Sequence, residues 1–116
     1  MNKKAIEYAK IFNALSHPLR LQIACGLLKH KRCNVNTMVA RTGVAQALVS
    51  QHVKNLKDSG IIEGTRDGNI IWYTLCSPQT IKLLTNANLD ICQCNDCHDE
   101  REHKLTDECK DNCKSE

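Results

Sequence analysis

A change of period at Gly60 constrains this chain more than any other feature of its sequence. Up to Gly60, apolar side chains recur at helical spacing; beyond it come two β-branched and aromatic runs around Arg66-Asp67-Gly68. The two periods are not interchangeable, because a helix-period pattern loses its apolar face when drawn out as a strand. Several helices followed by a hairpin are therefore expected. Tyr8, Ile11, Phe12 and Leu15 predict a helix over about Lys3–Leu15. Ser16 is placed to cap a second helix, with Pro18 in its first turn, running to about Lys29 and burying Leu19, Ile23 and Leu27. A short helix over Asn36–Thr42 buries Met38 and Val39 and ends at Gly43. Ala45–Ser59 carries Leu48, Val49, Val53 and Leu56 on one face. Ile61–Thr65 and Asn69–Leu75 are the hairpin arms, with Trp72 and Tyr73 stabilising the ribbon, and Ser77-Pro78 opens a last helix reaching Ile91 through Ile81 and Leu84.

A short helix, a Gly-containing turn and a longer helix describe a helix-turn-helix. With the hairpin as a wing, the fold class is a mainly α winged helix-turn-helix of five helices and a two-stranded β-hairpin. Residues 1–92 form that domain, and 93–116 an acidic, Cys-rich tail. Its 116 residues suit one modest domain that gains from a partner subunit. No apolar run has the ~18 residues of a membrane span. Glu7 and Lys10 interrupt the sequence after Met1-Asn2-Lys3-Lys4, so no signal peptide is expected and a cytoplasmic location is. Without a P-loop, His-Glu-x-x-His or Gly-x-Ser-x-Gly, an enzyme is not expected and no cofactor is required.

Charge points to an anionic partner. Residues 1–90 hold twelve Lys and Arg against five Asp and Glu, a net +7, whereas residues 91–116 hold four against eight, a net −4. On the fourth helix, Gln46, Ala47, Ser50, Gln51 and Lys54 form a polar face opposite the apolar one. Gln pairs with adenine edges, Ser with a base or phosphate, and Ala meets a thymine methyl. Lys54 and Lys57 are suited to phosphates, and Arg66, on the wing, to a backbone or minor groove. His52 is placed on the groove side and His17 at a helix terminus. The expected partner is double-stranded operator DNA.

Leu15-Ser16-His17-Pro18-Leu19-Arg20-Leu21, Val49-Ser50-Gln51-His52-Val53-Lys54-Asn55-Leu56-Lys57, Gly60-Ile61-Ile62 and Trp72-Tyr73-Thr74-Leu75 together resemble the ArsR/SmtB family of bacterial repressors, over about residues 5–92. The resemblance implies a homodimer paired through the first and last helices, and operator release when a small inducer binds or oxidises the repressor. Ala45 departs from it, standing where the family usually has a polar helix cap. The family's acid/His zinc pairs have no match in Pro78–Ile91, and only Cys33 stands near the short helix, where other members carry Cys-x-Cys. Cys25 and Cys92 match the dithiol pair of the persulfide-sensing branch. By that resemblance, reactive sulfur species would link them through a sulfur bridge.

A second site is read from spacing. Cys92-x-Cys94-x-x-Cys97-His98 follows the last helix, and five of the eight cysteines (Cys92, Cys94, Cys97, Cys109, Cys113) lie beyond residue 91. Three soft thiolates suit arsenite; His98, or Cys109 and Cys113, would complete a tetrahedral soft divalent metal site. Two remoter classes are a metal-buffering protein and a thiol oxidoreductase using Cys94-x-x-Cys97, the latter without the usual βαβ setting. Cys33 is read as an incidental thiol, Cys76 as packing, and His30 and His103 as solvated.

Overall fold

A computed structural model of the chain describes residues 1–91. Its elements are α1 (Lys3–Ala14), α2 (Pro18–His30), α3 (Val35–Thr42), α4 (Gln46–Asp58), β1 (Ile62–Asp67), β2 (Ile70–Leu75) and α5 (Pro78–Ala87). The expected winged helix is present in full. The 93–116 tail lies outside the described residues.

Side-chain caps set most of the helix starts. Asn2 accepts the N–H groups of Lys4 and Ala5 to open α1, Asn34 accepts that of Thr37 to open α3, and Ser77 accepts that of Thr80 to open α5. At α2 the expectation fails. His17, not Ser16, is the cap, its Nδ1 accepting the Leu19 N–H at 3.1 Å. The Ser16 hydroxyl instead donates to the Asn13 carbonyl at 2.7 Å, finishing the preceding helix.

The last helix is shorter than expected. It stops at Ala87, because Asn88 takes the left-handed conformation (φ 51°) and its N–H caps the Leu84 carbonyl. Asn is among the few residues that tolerate this conformation cheaply. Ile91 is therefore off the helix. The hairpin also differs in its tip. Asp67 pairs with Ile70, so the loop is Gly68-Asn69, one residue later than Asp67-Gly68. Gly68 supplies a positive φ of 66° at the first loop position and Asn69 does not, the pattern of a type II′ turn.

The core lies between α2, α4 and the hairpin base. Leu27, Val49, Val53, Leu56, Ile61 and Ile62 are its largest fully buried apolar side chains. Three expected core residues lie outside it: Phe12 is 55% exposed, Leu48 43% and Ile81 37%. Each stands one residue, or 100° of helix, from a buried neighbour (Ile11, Val49 and Thr80) that took the inner position. Thr80 can be buried because its hydroxyl donates to Ser77 Oγ at 2.8 Å.

Two contacts fix the wing. A Cβ on Gly64 would lie 2.9 Å from Tyr73 Cε1, so only glycine leaves room for that ring across the ladder. The connector between α2 and α3 adds one residue to the ladder: Cys33 N–H donates to the Tyr73 carbonyl at 3.1 Å, and Tyr73 N–H to the Cys33 carbonyl at 2.8 Å.

Candidate nucleic-acid interface and thiol recess

The polar face of α4 is open to solvent. Gln46, Ala47, Ser50, Gln51, Lys54 and Lys57 are all exposed, as is Arg66 on the wing. Ala45 makes no side-chain cap, while Leu48 and Val49 both donate to its carbonyl. The first N–H groups of α4 therefore point outward at the positive end of the helix dipole. Lys54 pairs with Asp58 at 3.0 Å on the exposed surface, an i,i+4 pair worth only ~0.3–0.5 kcal/mol and readily exchanged for a phosphate. The Arg66 guanidinium folds back to donate to the Gly68 carbonyl at 3.3 Å.

A cleft of about 350 Å³ separates α4 from the wing, with Gln46 and Ser50 on one wall and Ile71 and Tyr73 on the other. Asn34, Asn36 and Asn69 complete it. These three amides are absent from the sequence-derived set. Their only signal in the sequence was position, at a helix start and a hairpin tip.

His52 corrects the expected groove-facing set. It is 8% exposed and stacks on His17, so it faces the core side of α4. It lies between Val49 and Val53 in the buried stripe, where helical phase points a side chain inward.

The thiols separate by environment. Cys25 is buried in α2 and lines a recess of about 460 Å³ with Leu28, Lys29, Leu84, Leu89 and Ile91. Cys92, Cys94 and Cys97 lie outside the described residues. Cys33 is 2% exposed, and Arg41 Nη1 approaches its sulfur at 3.6 Å. Cys76 is on the surface rather than packed, and His30 is buried rather than solvated. Among the described residues, no three His, Cys, Asp or Glu side chains are grouped to hold a metal ion. Among the same residues, no helix is long and apolar enough to cross a membrane.

An exposed polar helix, set beside a wing on a three-helix base, defines a winged-helix DNA-binding protein. Residues 17–63 match the family model described as bacterial regulatory protein, arsR family. The chain is 33% identical to the biofilm growth-associated repressor of Xylella fastidiosa over 84 residues, 72% of this chain and 73% of that protein. It is similar to the solved structure of HlyU from Vibrio cholerae, with a TM-score of 0.72 and 25% identity, over 80% of this chain and 100% of that one. It is also similar to the transcriptional repressor BigR from Xylella fastidiosa, with a TM-score of 0.69 and 30% identity, over 79% of this chain and 93% of that one. The chain belongs to the ArsR family and is a DNA-binding transcriptional regulator.

Proposed function

We propose that the chain is a homodimeric repressor whose grip on its operator is released by sulfur chemistry joining Cys25 and Cys92. The observation that carries this reading is the recess. Cys25 lines it from α2, and the chain leaving α5 lines it as far as Ile91, the residue before Cys92. A thiol on one wall, with the chain that leads to Cys92 along the other, suits a bridging reaction. In the trisulfide case the two thiols and one trisulfane give the bridged pair and two hydrogen sulfide molecules. The thiols lose two electrons, and the trisulfane's terminal sulfurs gain them. Pairing of two subunits is supported by Ile6 and Phe12 on α1, with Ile81 and Leu89 in and just after α5, all apolar and exposed.

The test is binding of the purified, reduced chain to a duplex selected from a random library. Wild type, Cys25→Ser and Cys92→Ser are challenged separately with polysulfide, arsenite and cadmium. Polysulfide is expected to weaken wild-type binding at least tenfold and to leave both variants unaffected. An undiminished polysulfide response in Cys25→Ser sinks the reading. A response to arsenite or cadmium alone, lost in Cys94→Ser, would put the switch at Cys92, Cys94 and Cys97 instead.

A further inference from the structure

The connector after α2 carries Lys31 and Arg32 beside the elements that read DNA. Exposed cations in such a place ordinarily contact phosphates. Arg32 is arranged differently. Its guanidinium carbon lies 4.0 Å from the centroid of the Trp72 ring, within cation–π range. The next connector residue, Cys33, is joined by two backbone hydrogen bonds to the next strand residue, Tyr73. Two consecutive connector residues thus hold two consecutive residues of β2, one by a ring face and the other by the main chain.

Sheet parity shows which side Arg32 occupies. Opposed residues of an antiparallel pair share a face, and successive residues alternate. Arg66 opposes Ile71 and Gly64 opposes Tyr73, so Arg66, Ile71 and Tyr73 share one face. That face carries Ile71 and Tyr73 into the cleft with Gln46 and Ser50, while Ile70, of the other parity, reaches the cleft only at the hairpin tip beside Asn69. Trp72, opposed to Thr65, occupies the other face. Arg32 therefore stacks on the back of the wing, away from α4.

A buttress there has work to do. From Glu63 through Ile70 every residue of the hairpin is exposed, and a two-stranded hairpin is marginally stable by itself. We infer that Arg32 is a positioning residue for DNA binding: stacked on Trp72, it fixes the angle of the wing against α4 and does not itself neutralise a phosphate. This deepens the DNA-binding reading of α4 and the wing and rests on it. A lysine replaces Arg32 poorly, because the contact uses the flat stacking face of the guanidinium as well as its charge.

The experiment uses the full chain and a duplex selected from a random library, with affinity measured across a salt series. Trp72 is the only tryptophan, so its fluorescence reads the stack directly. Arg32→Lys is expected to weaken binding roughly two- to tenfold with the log–log salt slope unchanged, and to raise quenching of Trp72 by acrylamide. Trp72→Leu should lose a similar factor, Trp72→Phe should retain binding, and Arg32→Lys combined with Trp72→Leu should lose no more than either alone. Lys57→Gln is the reference for one phosphate contact, lowering the slope by about 0.9. Wild-type binding by Arg32→Lys, with a slope drop in Arg32→Gln equal to that of Lys57→Gln, overturns the inference and makes Arg32 a phosphate contact. Unchanged binding by Trp72→Leu overturns it equally. A chain that selects no duplex removes the DNA-binding reading and this inference together.

Discussion

The imidazole rings of His17 and His52 lie 4.2 Å apart, centroid to centroid, and tie the start of α2 to the middle of α4. His17 caps α2 through Nδ1, which accepts the Leu19 N–H. His52 Nδ1 and Arg20 Nε are buried without hydrogen-bond partners. Burial of His52, and then the positive charges His17 and Arg20 carry toward it, hold its pKa below the ordinary histidine value.

The sign of the pH dependence follows. A histidine with a lowered pKa in the folded state binds fewer protons there than in the unfolded chain. Its contribution to stability is present above about pH 6.5 and is lost as the pH falls through the folded-state pKa. Thermal unfolding should therefore show a falling Tm on acidification from pH 7.5 to 5, and a shallower fall in His52→Gln. An equal slope in the variant would remove His52 as the cause.

Ala45 leaves the start of α4 without a side-chain cap. Ala45→Ser should stabilise the fold by about 0.5–2 kcal/mol, read as a higher urea midpoint. Ala45→Asp should stabilise similarly but weaken DNA binding, since it places a carboxylate where a phosphate would approach the helix end. Equal affinities for the two variants would show that no phosphate comes near this end.

Cys76 is the exposed thiol among the described cysteines, yet its environment opposes reactivity. Desolvation first, and the nearby Glu63 carboxylate second, push its pKa above the usual thiol range. Alkylation of Cys76 at pH 7.5, followed by mass spectrometry, should be slower than that of a model thiol and faster in Glu63→Gln. Cys76→Ser should respond to polysulfide as wild type does. A lost response would give Cys76 a part in sensing.

Much of the fold was legible in the sequence because period and punctuation agree. Gly43 and Gly60 end helices with positive φ, and Ser77-Pro78 opens one. What was not legible depended on choices between neighbours. Ser16 and His17 both can cap, and the ring nitrogen won only because the hydroxyl had found Asn13. Phe12 and Ile11 differ by one helical step, and no single-chain pattern says which faces the core. The outward face of α4 emerged correctly because alternate faces of one helix differ in polarity. His52 did not, since an imidazole suits either face. The cleft amides Asn34, Asn36 and Asn69 come from separate segments, and only tertiary packing gathers them.

The early stop of α5 changes how the stretch from Asn88 to Ile91 answers to insertions and deletions. Within a helix, one added residue swings everything after it by 100° and advances it by ~1.5 Å. Outside a helix, one added residue mainly lengthens the reach, by up to ~3.3–3.6 Å, with no fixed rotation. For the seating of Ile91 against the wall holding Cys25, tether length therefore counts for more than rotational phase.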